Sequence, residues 1–558
     1  QVAQWGNLSV DSVMQTLTLD RQIAQLLMPP VYAKPGKENW GEAEEWARIH
    51  GIGGVICMQG GPALQQARID RLQAASSVPM WTSSDAEWGL GMRLDSTRSW
   101  PRAMTFGAAD DEALTREIGR QMARELRAVG IHVNFAPVVD VNSNPDNPVI
   151  GNRSFGESTD LVSRLGVAMA LGLQDGGVLA TAKHFPGHGD TDADSHLTLP
   201  TIAHDRARLD SMELVPFRAI AEAGIGAMMA AHLYIPALDS TPGQPSTLSP
   251  AIVDSLLRQD IGFDGIVFTD AMTMKGFEDF AATETPHADA LLAGNDVLLF
   301  PAPPAEVIAE IRAAIAAGKL DSAFIAEKCR RVLEAKQRWM NATPASDVAN
   351  DEHRAELLHR ELVSKALTVV SNRDRALPFG ADVQRIAVAH LQSAERSDWF
   401  SANLSRILGS GVEIVPTFID RGKLGTAGHT WLQGLEAAAP DWVVLNVRDL
   451  NSRVNRGFGL DEETIAWMEM VAAELAPLPT RVAVVINGSP YLLNALERLS
   501  VLADAMLVAY QDDRITEEAV AAALAGAGPA LGHLPVGAGG FAVGHGKPML
   551  GRERLGFS

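Results

Sequence analysis

VLATAKHFPGHGDTDADSH, residues 178–196, is the stretch from which the rest of the chain can be read. It opens with an apolar run, 178–182, short and continuous enough for a strand buried on both faces. Lys183, His184, His188, Asp190, Asp192, Asp194 and His196 then crowd into the next fourteen residues. A loop so dense in titratable groups, held open by Pro186, Gly187 and Gly189, cannot pack as core and needs a polar destination. It reads as an active-site loop on the end of a strand.

The same arrangement recurs on both sides of it. Apolar runs at 23–31, 52–58, 78–83, 131–141, 178–182, 227–231, 265–269 and 296–300 alternate with helical patterns, and the first of them includes the end of a helix. Eight such units predict a (β/α)8 TIM barrel of parallel strands. Polar residues fall just after several runs: Asp85, Asp140, Lys183, His232 and Asp270. In such barrels the catalytic groups gather at the C-terminal strand ends. Residues 1–340 are therefore expected to form the catalytic barrel.

Residues 304–339 read as helix, and the polar stretch NATPASDVANDE at 341–352 opens a linker placed at 341–365. Beyond it, strand patterns at 386–389, 412–415, 442–447, 482–487 and 506–509 alternate with helical ones, the clearest at 462–475. They predict that 366–558 forms a second α/β domain, a sandwich of helices around a mostly parallel sheet.

Composition narrows the function. A hydrophobic content of 46% with 21% charged residues is that of a globular chain, and no apolar run approaches the roughly 20 residues that cross a bilayer. The net charge of −21 disfavours nucleic acid, which needs clustered Lys and Arg. Two cysteines, Cys57 and Cys329, exclude a disulfide framework and a multi-cysteine metal site. Histidine and aspartate on the 183–196 loop could still ligate a metal, but H-x3-H on a Gly/Pro loop lacks the helical face of the usual zinc helix. A polar loop with carboxylates that cap turns is the alternative without chemistry.

Three further segments carry chemistry. DAEWGLGMR, 85–93, offers two carboxylates, an indole and an arginine on a glycine-rich turn, suited to grasping a hydroxylated ligand. NRSFG, 152–156, adds Arg153, and IVFTDAMTMKG, 266–276, ends a strand with Asp270.

Together with the 183–196 loop these segments resemble glycoside hydrolase family 3, and within it the β-N-acetylglucosaminidase branch marked by KHFPGHGDT…DSH. The resemblance extends to SVMQTLTLDRQIAQLLM at 12–28, to GNDVLLF at 294–300 and, more loosely, to the second domain with its GHLPV at 532–536. It implies that Asp270 is the nucleophile of a retaining exo-β-N-acetylglucosaminidase. His196 would be the general acid/base, oriented by Asp194, while Asp85, Arg93, Arg153, Lys183 and His184 hold the sugar. No metal or other cofactor is implied. The expected partner is a GlcNAc-containing oligosaccharide, from chitin or peptidoglycan, with neither nucleic acid nor membrane insertion.

An imidazole in place of the usual carboxylic acid titrates near neutrality without special burial. Being neutral in the second step, it would not repel an anionic acceptor, so a β-N-acetylglucosaminide phosphorylase stays open, as does a β-glucosidase. A metal-dependent hydrolase and a sugar-binding protein without turnover are more distant readings. Two departures from the family pattern stand out: TDAM replaces the SDDL or SDAL common around the nucleophile, and no S-x-x-K motif of an added serine-hydrolase domain occurs. Relatives of this two-domain shape imply a periplasmic or secreted enzyme, whereas single-domain relatives are cytoplasmic.

Overall fold

Consecutive prolines at 29 and 30, neither with an N–H for a sheet ladder, break the first strand into β1 (Leu27–Met28) and β2 (Pro30–Val31). From β2 a parallel sheet runs through β3 (Gly54–Cys57), β4 (Trp81–Ser84), β5 (Val133–Asn134), β6 (Leu179–Phe185), β7 (Ala227–Ala230) and β8 (Ile266–Thr269). β9 (Leu298–Leu299) pairs in parallel with β1, and Val297 just before it bridges Phe268 of β8. The ring is thereby closed, with eight strand positions, as the sequence pattern predicts. Every residue of β3, β4, β6, β7 and β8 is buried, the mark of strands covered by helices outside and side chains within. β5 is much shorter than the run 131–141 suggests, because Pro137 interrupts it; a single bridge, Val138 to Lys183, continues the pairing.

In this computed structural model the described residues are 5–6, 8–34, 36–195, 197–279, 283–342 and 352–551. The chain divides into two compact units. The barrel unit comprises Gln1–Trp100, Glu112–Ser154 and Val162–Glu352. The other comprises Pro101–Asp111, Phe155–Leu161 and His353–Ser558, so two short segments from within the first 340 residues belong to the second unit. Met104 and Ala108, on the helix Ala103–Ala109, are buried in the same core as Leu445, Val484 and Leu534. The stretch expected as linker at 341–365 also differs: Glu352–Ala366 is a helix whose Ala355, Leu358, Leu362 and Val363 are buried at helical spacing. Its many charged residues lie between those positions and mask the stripe.

The second unit is built on a six-stranded sheet. Its strands are β10 (Thr368–Asn372), β11 (Arg385–Gln392), β12 (Glu413–Asp420), β13 (Trp442–Val447), β14 (Arg481–Ile486) and β15 (Ala505–Val508), in the order β10-β15-β14-β13-β11-β12. β10, which the sequence reading did not find, pairs antiparallel with β15, and the other neighbours are parallel. Alternation of side chains splits β13 between two cores: Val443, Leu445 and Val447 face one, Trp442 and Val444 the other. Among the described residues no helix is long and apolar enough to cross a membrane.

Candidate active site

Lys183 and His184 are consecutive on β6, at the point where its pairing with β7 shifts register. Lys183 is 3% exposed, and its Nζ donates to Asp85 Oδ1 at 2.8 Å while sitting 2.9 Å from Glu87 Oε1. Asp85 follows β4 directly, and its other oxygen accepts from Arg93 Nη2 at 2.7 Å. The turn between them depends on Gly89, which has φ of 82° and where a Cβ would lie 2.7 Å from Trp100 Cδ1. Glu87 is gripped on both oxygens by Arg153, Nε to Oε2 at 2.9 Å and Nη2 to Oε1 at 2.7 Å. Arg93, Asp85, Lys183, Glu87 and Arg153 thus form a row of alternating charge.

Burial would push both carboxyls up. The adjacent cations outweigh it: Lys183 and Arg93 hold Asp85 down at about 2, and Arg153 and Lys183 hold Glu87 well below the usual range. Burial by the same logic would lower Lys183, but Asp85 and Glu87 raise it above its ordinary value.

A second network lies behind the first. Fully buried Asp140 accepts from the backbone N–H groups of His184 (3.2 Å) and His188 (2.8 Å), and from His184 Nδ1 at 2.7 Å. That leaves His184 Nε2 as the acceptor facing Arg153 Nη2 at 3.3 Å. His188 pairs Nδ1 with Thr191 Oγ1 (2.7 Å) and Nε2 with Ser195 Oγ (3.1 Å). Burial, reinforced by His184, lowers its pKa to about 4 and keeps it neutral. The loop lies close to the barrel because Gly189 has no side chain; a Cβ there would be 1.8 Å from the Val141 carbonyl oxygen.

Asp270 follows β8. Its backbone N–H donates to Ala230 O, and its Oδ1 accepts from Ala271 N at 2.8 Å. Burial raises its carboxyl, but His232, His184, the Ala271 amide and Lys183 together bring it below the ordinary carboxylate range. His232, buried beyond β7, braces the same residue: its Nε2 lies 3.0 Å from Ala271 O, and its Nδ1 2.6 Å from Thr247 Oγ1.

Asp85, Arg93, Arg153, Lys183, His184 and Asp270, all singled out in the sequence, line one cavity of about 460 Å³. Glu87, His188 and Ser195 line it too. The sequence offered Glu87 as one of two carboxylates in DAEWGLGMR without a role of its own; the D-x-E spacing just past a strand end was the available signal. Trp88, the indole of that segment, is not among the lining residues. Asp194 is not among them either; its carbonyl accepts from Leu197 N and Thr198 N, while its neighbour Ser195 reaches the cavity. His196 lies outside the described residues. Met58, Met92, Val149, Met274 and Phe300 supply the apolar part of the wall.

Three carboxylates (Asp85, Glu87, Asp270) and three cations (Arg93, Arg153, Lys183) balance in this cavity, which suits a neutral, polyhydroxylated ligand. Asp190 on the loop and His204 and Glu213 beyond it bring ligand atoms within 4.8 Å of one another. Arg208 already lies on this group, 2.7 Å from Glu213 Oε1 and 3.7 Å from Asp190 Oδ2, and its charge opposes a cation there.

Comparison with known proteins agrees with the geometry. Residues 18–335, more than half of the chain, match the profile of the glycosyl hydrolase family 3 N-terminal domain. Beta-hexosaminidase A of Pseudoalteromonas piscicida is 33% identical over 358 residues, 59% of each chain, so the match spans somewhat over half of that relative. A beta-N-acetylglucosaminidase/beta-glucosidase of Cellulomonas fimi is 27% identical over 522 residues, 87% of this chain and 88% of its own. Among solved structures, a glycoside hydrolase family 3 beta-N-acetylglucosaminidase from Paenibacillus sp. str. FPU-7 superposes with a TM-score of 0.77 at 29% identity, covering 94% of this chain and 99% of that one. The barrel, the charged row at its strand ends and these matches have one meaning: the chain belongs to glycosyl hydrolase family 3.

Proposed function

We propose that the protein is a retaining, exo-acting β-N-acetylglucosaminidase that removes terminal N-acetylglucosamine from chitooligosaccharides or peptidoglycan fragments. The observation that carries this reading is Asp270: a buried carboxylate at the end of a barrel strand, held ionised, with one oxygen fixed by a backbone amide and the cavity in front of it. In the first step an Asp270 oxygen attacks the anomeric carbon as the glycosidic bond breaks, and His196 gives its proton to the departing oxygen. In the second, His196 takes a proton from water, which attacks the same carbon and releases Asp270. Asp194 orients His196 and stabilises its imidazolium. Asp85, Arg93, Arg153, Lys183 and His184 hold the sugar. The acetamido preference rests on the hexosaminidase relatives, and the name of the Cellulomonas relative keeps β-glucosidase activity as the second reading.

The test combines labelling with a substrate panel. A fluorinated N-acetylglucosaminide that traps the intermediate should label Asp270 covalently, and the native enzyme should cleave aryl N-acetylglucosaminide faster than aryl glucoside, releasing the free sugar in phosphate buffer. Labelling of another carboxylate, or inversion of the anomeric configuration, would sink the mechanism. Sugar 1-phosphate as product would replace hydrolysis by phosphorolysis, and preference for the glucoside would reverse the specificity.

A further inference from the structure

We infer that Glu87 is a positioning residue of this site, which orders Arg153 and Lys183 for the sugar and keeps Lys183 charged. The inference rests on the sugar-binding reading of the charged row and assigns the one carboxylate in it that was left without a task.

Glu87 borders the cavity, yet both of its oxygens are committed. Oε1 takes Arg153 Nη2 at 2.7 Å and Lys183 Nζ at 2.9 Å, and Oε2 takes Arg153 Nε at 2.9 Å. Its side chain is 7% exposed, and the two cations hold it ionised. A carboxylate so engaged has no proton to give and little basicity with which to take one. Its neighbours have the opposite need. Arg153 has Nη1 on the Val149 carbonyl at 3.1 Å and Nη2 facing both Glu87 and His184. Without the two-point grip of Glu87, the long arginine side chain would lose its fixed plane.

Lys183 is more sharply dependent. It is buried, and the charges facing it are Asp85 and Glu87, which favour its ammonium form, and Arg153, which opposes it. Asp270 draws on the same ammonium for its own ionisation. Asp85 and Glu87 are the two carboxylates in direct contact with the Lys183 ammonium, and Asp85 divides its charge between Lys183 and Arg93. Removal of Glu87 therefore leaves burial and Arg153 acting against Asp85, which Arg93 shares, and Asp270. Lys183 should then lose its proton at a lower pH, and the sugar should lose a charged donor with it.

The experiment uses Glu87→Gln, which keeps the shape and removes the charge, with Glu87→Asp and Arg153→Ala as companions. Glu87→Gln should lower kcat/KM on an aryl N-acetylglucosaminide by about 10²-fold, of the order seen when one preorganised donor is lost. It should also move the alkaline limb of the kcat/KM profile to lower pH. In the Arg153→Ala background the further loss from Glu87→Gln should be less than about tenfold, because residues that act through one another are not additive. Glu87→Asp, which keeps the charge on a shorter arm, should restore the limb even if the rate stays low. An unmoved alkaline limb together with multiplicative losses would overturn the inference. Should Glu87→Gln not fold, the limb in Glu87→Asp, set against that in Asp85→Asn, makes the same decision: Glu87→Asp should keep the native limb and Asp85→Asn should lower it, and any other order counts against the proposal. Covalent labelling of Asp270 in the native enzyme tests the underlying reading separately.

Discussion

Asp270 is ionised because its surroundings overcome its burial, and the largest favourable contribution comes from His232. That histidine also holds the carbonyl of Ala271, the residue whose N–H donates to Asp270. Loss of His232 should therefore act on the proposed nucleophile twice, through charge and through position. The sign follows from the direction of the shift. Asp270 has its carboxyl lowered in the folded protein, so taking away a cause of the lowering raises it, and a nucleophile with a raised pKa is protonated at a higher pH. In His232→Ala the acidic limb of kcat/KM should move to higher pH, with kcat reduced more than KM. Kinetics between pH 3 and 8 check this, and a limb that stays or moves down would remove His232 from the account. The importance of Glu87 lies in which cations reach it, and that is not written in D-x-E.

The helix Ser322–Met340 shows how an element can carry a residue its pattern would not choose. Asp321 caps it by accepting from Phe324 N, and Ile325, Cys329, Val332, Leu333 and Met340 form its buried stripe. Lys336 occupies a position in that stripe. It is fully buried, its Nζ donates to Gln25 Oε1 at 2.7 Å and lies 6.0 Å from the Trp81 ring centroid, and burial brings its pKa down to about 7. The unfolded chain takes up this proton below about pH 10.4 and the folded one only near 7, so stability is lost as pH falls across that window. The largest slope one such group can give is about 1.4 kcal/mol per pH unit. Relative to the native protein, Lys336→Met should therefore become steadily more stable from pH 10 to 7 and level off below. Denaturation midpoints over that range measure it; a difference independent of pH would mean that the lysine stays charged inside the barrel unit. The absolute sign at any one pH depends also on Gln25, which loses its partner in the variant.

The division of the chain into units cuts across its order. Pro101–Asp111 and Phe155–Leu161 leave the barrel sequence and pack within the second unit. Phe106 and Phe155 meet edge to face with centroids 6.4 Å apart, His533 N donates to Ala108 O, and Gly537 N donates to Glu157. A chain ended after Glu352 would keep these segments and lose the core, Leu445, Val484 and Leu534 among it, in which Met104 and Ala108 are buried. It should express poorly or expose apolar surface, and bind a hydrophobic dye far more than the full chain. A truncated protein that is monomeric, fully active and as heat-stable as the whole would contradict this. The second unit is thus no detachable appendage to the catalytic sequence.

Much of the architecture could be read before any coordinates. The eight barrel strands, the parallel strands β11, β13, β14 and β15 of the second sheet and the helix Glu462–Leu475 each announce themselves as local runs with the right period, because burial on one or both faces imposes that period residue by residue, while β12, largely exposed at the sheet edge, shows only a short apolar run. The motifs likewise named six residues that line the cavity, since a strand end followed by a charged, glycine-rich turn is a local signal. Partnership between distant segments is not local. That Glu87 holds Arg153, that Asp140 gathers the 184 and 188 amides, and that His232 braces Ala271 depend on approaches between segments up to 66 residues apart in sequence. The helix at Glu352–Ala366, the antiparallel edge β10 and the two segments lent to the second unit were hidden for the same reason. Charged residues masked the helix, and only folding reveals which surface a short apolar segment will bury against. Periodicity records that a side chain is buried; the identity of its neighbours is settled when the barrel and the sheet close.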